Sequence, residues 1–412
     1  MREFGDMNWA IWSIAGVATA GVILRPFRWN EAIWAVAGAA VLVLAGLLPV
    51  AAAWSGISKS ADVAMFLTGM MLLSEVARRE GLFDFLAAEA AKLANGSAKK
   101  LFLLVYLVGV LVTVFLSNDA TAVVLTPAVF AATQAARIEK PLPYLYLCAF
   151  VANAASFVLP ISNPANLVVY GGGLPPLLDW LRMFGLPSLA AIAVTYAALR
   201  FALRHELRTP IAAPAASPEL TGCGKLAACG VAATALVLLA ASARGADLGA
   251  PTLGAGAATT LLVLLARRAN PLPMLRDIQW GVLPLVAGLF VLVEALDRTG
   301  VTAALSRALR QAPDWASGAT LALAANLVNN LPAGLVAASA AQQAASPPDV
   351  TAALLIGVDL GPNLSVTGSL ATILWLAVLR RENQSVRDRD FFLLGLAAMP
   401  PALIAALAAA LI

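Results

Sequence analysis

Apolar runs separated by short charged segments dominate the chain. Read for blocks near twenty residues, the pattern predicts membrane crossings at about 8–24, 31–54, 61–77, 142–170, 183–203, 224–243, 250–267, 279–297, 350–379 and 390–411. Two of these, 142–170 and 350–379, are too long for one pass and carry polar interruptions, "LPISNPANLVVY" and "GVDLGPNLSVTGS". Pro160 and Pro164 in the first, and Gly361 and Pro362 in the second, remove backbone donors or relax the helix, so both spans are expected to unwind near mid-membrane.

Two further blocks are expected to turn back inside the membrane. Between Lys100 and Arg137 the run 101–116 supplies sixteen helical residues before the polar stretch 117–119. That is about 24 Å of helix, short of an apolar core of about 30 Å. The block 316–345 does the same around "VNNLPAG", with Pro332 suited to the first turn of the returning helix.

These segments recur. "LLSEVARREGL" at 72–82 matches "VLVEALDRTGV" at 291–301, with Glu75 and Gly81 spaced as Glu294 and Gly300 are. Each is followed by an amphipathic stretch, a re-entrant hairpin with Asn at its tip and a broken crossing. Five crossings separate the two starts, an odd number, so the copies are expected to be inverted in the membrane, the arrangement of secondary transporters. The expected organisation is then peripheral N-terminal helices (1–60), a first repeat (61–171; hairpin 100–137, broken helix 142–170), linking helices with a loop at 204–222 (172–278), a second repeat (279–380; hairpin 316–345, broken helix 350–379) and a C-terminal helix (381–412).

Composition fixes the compartment. At 412 residues, 61% hydrophobic and 12% charged, the chain has more apolar surface than a soluble core of this length can hide. A β-barrel is disfavoured because the apolar residues come in unbroken blocks, not ten-residue alternations. The expected fold is an all-α polytopic membrane protein, an inverted-repeat secondary transporter with about ten crossings. The first residues carry both signs of charge and no small-residue cleavage pattern, so they read as a true first span.

Charge sets the orientation. This topology collects 20 of the 27 basic residues on one side, from Arg25 to Arg389, which makes that side cytoplasmic, leaves both termini outward and gives a cytoplasmic linker at 204–222. The net charge of +4 is thus topological and calls for no nucleic-acid partner. Cys148, Cys223 and Cys229 show no paired spacing and His205 is the lone histidine, so no metal site or other cofactor is expected. The chain lacks a GxxxxGK[ST] phosphate loop, an HExxH motif and a serine nucleophile motif, so a transporter is expected and not an enzyme.

The candidate site lies where the hairpin tips and the two breaks should meet. Ser117, Asn118, Thr121, Asn163, Asn166, Asn329, Asn330 and Asn363 are the substrate-binding candidates, with Ser162, Ser365 and Thr367 nearby. Amides and hydroxyls both donate and accept, which suits a small neutral polyhydroxylated solute. No Arg or Lys interrupts the four breaks, where an anion would ordinarily be met by one. Asp119 and Asp359 are the proton-coupling candidates. Burial in hydrocarbon disfavours a carboxylate, so a group neutral towards one side and ionised towards the other carries a proton per cycle. The bland alternatives are helix capping for 117–119 and satisfaction of freed carbonyls for Asn163 and Asn166. Glu75 and Glu294, beside Arg78 and Arg298, read as interfacial pairs.

"SNDATAVVLTP", "NNLPAGLV" and "IGVDLGPNLSVTGSLATILWLAVL" resemble the ArsB-type arsenite and antimonite efflux permeases of the ion transporter superfamily, over nearly the whole chain. On this resemblance the Asn-Asp tip falls on Asn118 and Asp119, the Asn-Asn tip on Asn329 and Asn330, and the Asp-Leu-Gly-Pro break on 359–362. The resemblance implies export of arsenous acid and antimonite in exchange for protons across a bacterial or archaeal plasma (inner) membrane. It also implies work alone or with a soluble arsenite-stimulated ATPase, and a homodimer. The chain departs from the pattern at Ser117, which makes the tip look like the Ser-Asn-Thr tips of sodium-coupled dicarboxylate carriers, and at Asn153, which stands in place of an acid. A sodium-coupled organic-anion carrier is therefore the alternative.

Overall fold

The computed structural model describes residues 2–171, 173–209, 211–212 and 219–411. Within the expected linker at 204–222, positions 210 and 213–218 lie outside the described residues. Helices α1 (Arg2–Leu24), α2 (Glu31–Leu44) and α3 (Val50–Lys59) lead into α4 (Ala61–Arg79) and the amphipathic α5 (Leu82–Ala94). The first hairpin enters as α6 (Ala98–Phe115) and returns through α7 (Asn118–Ala120), a π-helical turn (Thr121–Leu125) and α8 (Thr126–Ala135). The first broken crossing is α9 (Leu142–Ala154), a 3-10 turn (Pro160–Ser162) and α10 (Pro164–Tyr170). Helices α11 (Leu177–Ala202), α12 (Gly222–Ala243), α13 (Gly249–Arg267) and α14 (Leu272–Asp277) connect the halves.

The order then recurs. Helix α15 (Val282–Arg298) is followed by the amphipathic α16 (Val301–Gln311), and the second hairpin is α17 (Asp314–Val328) with α18 (Asn330–Ala344). The second broken crossing is α19 (Pro348–Leu360), a 3-10 turn (Gly361–Leu364) and α20 (Leu370–Arg381), and α21 (Asp388–Ala409) comes last. The shared glycine of the two matched segments has a backbone reason. Gly81 at φ 74° and Gly300 at φ 83° turn α4 into α5 and α15 into α16 through the left-handed region, which costs a side chain free energy and glycine little.

Polar residues start the helices that matter for the centre. Ser117 accepts from the Ala120 amide, Asn163 from Ala165, Asn329 from Leu331 and Ser369 from Thr372. Each satisfies a donor that the first helical turn leaves free. One expected crossing differs. The run 31–54 is not a single helix, because Gly46 at φ 71° and Pro49 turn the chain, and α3 is a separate piece bent 43° from α4. An apolar run hides such a turn from a hydropathy reading.

Among the described residues, five helices are individually long and apolar enough to cross a membrane: Ala98–Phe115, Leu177–Ala202, Gly222–Ala243, Gly249–Arg267 and Asp388–Ala409. Taken as one span, the bent α3–α4 pair would make a sixth. The broken crossings escape a length test because each is built of two short pieces. At the end of α6 the Val114 carbonyl accepts a bond from Ser162 in the first break.

Ion pairs at both ends fix the relative direction of α4 and α15. Arg79, at the end of α4, binds Asp277 just before α15, and Lys59, just before α4, binds Glu294 near the end of α15. The matched helices therefore run in opposite directions. Helices α4 and α13 run the same way, with Asp62 on Gly249 at one end and Glu80 on Arg267 at the other. They touch backbone to backbone, since a side chain on Gly69 would strike the Thr252 carbonyl. In the second half α17 and α19 are joined in the same way, Gly357 against the Gly318 carbonyl, and Gly361 just after α19 lies against the Ala322 carbonyl.

Candidate functional site

The two breaks meet in the interior. Asp359, the penultimate residue of α19, accepts from Ser156 Oγ at 2.6 Å through Oδ2 and from Asn163 Nδ2 at 2.8 Å through Oδ1. Both partners belong to the first break. A second link runs alongside: Asn153 Nδ2 donates to Asn363 Oδ1 at 3.0 Å, and Asn363 Nδ2 donates to the Phe150 carbonyl at 3.1 Å. All five side chains are buried, with Asp359 1% exposed. A carboxyl in such a place is ordinarily matched by a cation, yet among the described residues Asp359 has no ion pair and its neighbours are neutral donors.

Asn163 has two duties. Its Oδ1 accepts from the Ala165 amide and caps α10, while its Nδ2 holds Asp359. Asn166 spends its amide on the Ser156, Leu159 and Pro160 carbonyls that the unwound backbone frees, and its Oδ1 is buried without a partner. The carbonyl-satisfying alternative thus describes the Asn166 amide well. Asn363 serves to join α9 to the second break.

The second hairpin tip docks on the second break. Asn329 Nδ2 donates to the Thr367 carbonyl at 3.1 Å and the Asn330 amide N–H donates to the Gly368 carbonyl at 2.8 Å. Asn326, one turn earlier, donates to the Ala322 and Gly361 carbonyls and accepts from Ser365 Oγ at 2.7 Å. Asn329 itself sits at φ 71° and ψ 151°, a backbone conformation that residues with a side chain rarely adopt. The Asn330 Oδ1 is buried and unpartnered.

The first tip is organised differently. Asn118 Oδ1 accepts from its neighbour's amide at Asp119, and Thr121 shares a 2.8 Å bond with Thr113 on α6. The Asp119 carboxylate has no hydrogen bond or ion pair among the described residues and is only part-buried. It faces a cavity of about 650 Å³, together with Ser117, Pro164 and the α4 residues Met70, Ser74 and Glu75. Arg78, Arg276 and Arg381 line it too, with Asp277 and Glu382 among them. Glu75 is held there by Arg78 at 2.7 Å and Arg79 at 2.6 Å.

The structure thus joins Asn163, Asp359 and Asn363 in one network, and Asn329 with Asn330 in another. It places Ser117 and Asp119 on the cavity. Among the described residues no hydrogen bond joins one hairpin tip to the other; each tip is tied to a break. Sequence reasoning did not single out Ser156 or Asn326. The signal for Asn326 was an amide three and four positions before the tip on the same helical face. Ser156 carried none beyond its nearness to the break. Cys148 is buried, Cys229 is exposed, and among the described residues no three of His, Cys, Asp and Glu gather as a metal-binding group.

Comparison with known proteins follows the same outline. The chain is 27% identical over 361 residues to an arsenical pump membrane protein of Escherichia coli, covering 82% of this chain and 83% of that one. It is 27% identical over 398 residues to an uncharacterized transporter of Mycobacterium tuberculosis, covering 90% and 91%. The crystal structure of the YdaH transporter of Alcanivorax borkumensis shares the fold, with a TM-score of 0.53 at 14% identity over 87% of this chain and 86% of that one. A family model described as citrate transporter matches residues 16–358. The chain is a multi-pass membrane transporter and not an enzyme, and it belongs to the citrate transporter family of the ion transporter superfamily.

Proposed function

We propose that this transporter exports trivalent arsenic as arsenous acid, and antimonite likewise, in exchange for protons, and so confers arsenic resistance. The observation that carries the reading is a pair of acids without an ion pair among the described residues: Asp359, held only by the neutral donors Ser156 and Asn163, and Asp119, which faces the cavity. Arsenous acid is a small neutral solute with three hydroxyls, which asks for that donor and acceptor mix and for no Arg. The name carried by the Escherichia coli relative supports the same substrate.

In this reading the two copies of the α4-to-α10 unit are inverted repeats, and the arginine-lined end of the cavity faces the cytoplasm of a bacterial or archaeal inner membrane. Ser117, Asn118, Thr121 and the amides of Asn163, Asn166, Asn329, Asn330 and Asn363 form and support the substrate site. Asp119, open to the cavity, exchanges its proton there. Asp359, bonded to both broken helices, moves its proton when they part. Substrate and proton compete, and occupancy permits the hairpin-bearing unit to move. An arsenite-stimulated ATPase partner and a homodimer belong to the same reading.

A second reading, sodium-coupled carriage of an organic anion, is favoured by the family's description and by the unpartnered oxygens of Asn166 and Asn330. Arsenite uptake into everted vesicles under an imposed pH gradient, with and without sodium, separates the two. Uptake driven by the pH gradient alone is expected; a strict sodium requirement overturns the proton reading.

A further inference from the structure

Beside the large cavity lies a second one, of about 460 Å³. The turn between α1 and α2 supplies Arg25 and Glu31, the segment before α15 supplies Asp277 and Trp280, and α20 supplies Arg381. The acids facing it are already engaged, Glu31 by Arg25 at 3.2 Å and Asp277 by Arg79. Arg25 is paired with Glu31 but keeps its Nε buried with no hydrogen-bond acceptor, and Arg381 is exposed with no ion pair among the described residues. What remains is cationic and calls for an anion with several acceptor oxygens.

The surroundings place that anion at a membrane surface. Phe27 and Trp29, on the same turn as Arg25, are 80% and 50% exposed with ring centroids 5.6 Å apart, and Trp280 is 38% exposed. Clustered exposed aromatics beside basic residues are the composition of the headgroup layer. The rest of the wall mixes the amides of Asn30 and Gln279 with apolar residues such as Ile278, Leu374 and Ala377. A phosphate held at the rim would have its acyl attachments against carbon.

We infer that this cavity seats the phosphodiester of a membrane phospholipid between Arg25 and Arg381. Val123, Leu374, Val378 and Arg381 line both cavities. Val123 lies four positions after Asp119 on the returning leg of the first hairpin, so a lipid here packs against the wall of the transport cavity and braces that hairpin.

The test is phospholipid retention by the full-length protein, purified in detergent micelles doped with phosphatidylglycerol and read by native mass spectrometry. The wild type is expected to keep a bound phospholipid through washing. Arg381→Gln removes an exposed, unpaired side chain, so folding is not at stake, and retention should fall about tenfold, the equivalent of one charge-assisted contact. Arg389→Gln, basic and exposed outside the cavity, should retain lipid as the wild type does. Equal retention by Arg381→Gln and wild type overturns the assignment, and so does an equal loss in both variants. Inorganic phosphate added at the same concentration should leave the lipid in place; its displacement of the lipid would make this a free-anion site and overturn the lipid occupant.

Discussion

Ser156 Oγ donates to Asp359 Oδ2 at 2.6 Å, joining the first break to the second across 203 positions of sequence. The bond and its neighbour from Asn163 are the side-chain hydrogen bonds of the one acid buried between the two halves. Ser156→Ala removes a donor from that acid and leaves no bulk to rearrange. Loss of a hydrogen bond of this kind costs about 1–3 kcal/mol, so the thermal midpoint of the purified protein should drop by several degrees. An unchanged midpoint would show that the bond contributes nothing.

Asp359→Asn keeps the shape and the acceptor oxygen. It should leave a folded protein that has lost pH-gradient-driven arsenite uptake by tenfold or more, on the order of 1.4 kcal/mol in the coupled step. Wild-type uptake by this variant removes Asp359 from proton coupling.

Asp119→Asn should separate stability from transport more cleanly. Its carboxylate has no partner to lose, so the melting midpoint should stay within the range of an ordinary surface change, about 0.5 kcal/mol, while driven uptake is abolished. A variant that transports normally shows that the cavity-facing acid is a bystander.

Access to the cavity can be read by labelling in a cysteine-free background. Asp119→Cys, on the cavity wall, should react with a membrane-impermeant maleimide from the basic end only. Asn153→Cys, at 1% exposure, should not react from either end. Labelling of both positions from both sides would contradict a closed interior.

Two glycine substitutions should carry opposite signs. Gly361→Ala drives a methyl group into the Ala322 carbonyl, backbone against backbone, and should disrupt the seat of the second hairpin, with poor expression as the readout. Gly185→Ala, within α11, meets nothing within 4 Å and should stabilise that helix by up to about 1 kcal/mol. Equal outcomes would mean that the close approach of α17 to the second break is dispensable.

Much of this architecture was legible because membranes restrict the menu. An apolar run interrupted by Pro160, Pro164, Gly361 or Pro362 has few ways to satisfy its freed carbonyls, and the structure answers with the broken helices those residues predict. Likewise Gly81 and Gly300, matched in sequence, prove to be matched left-handed turns. The split of 31–54 was not legible, since Gly46 and Pro49 sit in a run that hydropathy reads as continuous. The pairing of Ser156 with Asp359 was illegible for a deeper reason. Local periodicity says nothing about partners two hundred positions apart, and a serine near a break has many equally good local bonds. Asn329 Nδ2 and the Asn330 backbone N–H donate to carbonyls of the second break, and Ser162 of the first break donates to the Val114 carbonyl at the end of α6, bonds between distant segments that local pattern does not announce.

Asn163 caps α10 with one atom of its amide and grips α19 through the other. A planar group of this size has no slack. Withdrawal of Asp359 by an ångström must either tilt the start of α10 or release it, so the side chain works as a rigid tie between two helices that end in the protein interior. Tension applied at either crossing is felt at the other without any intervening loop.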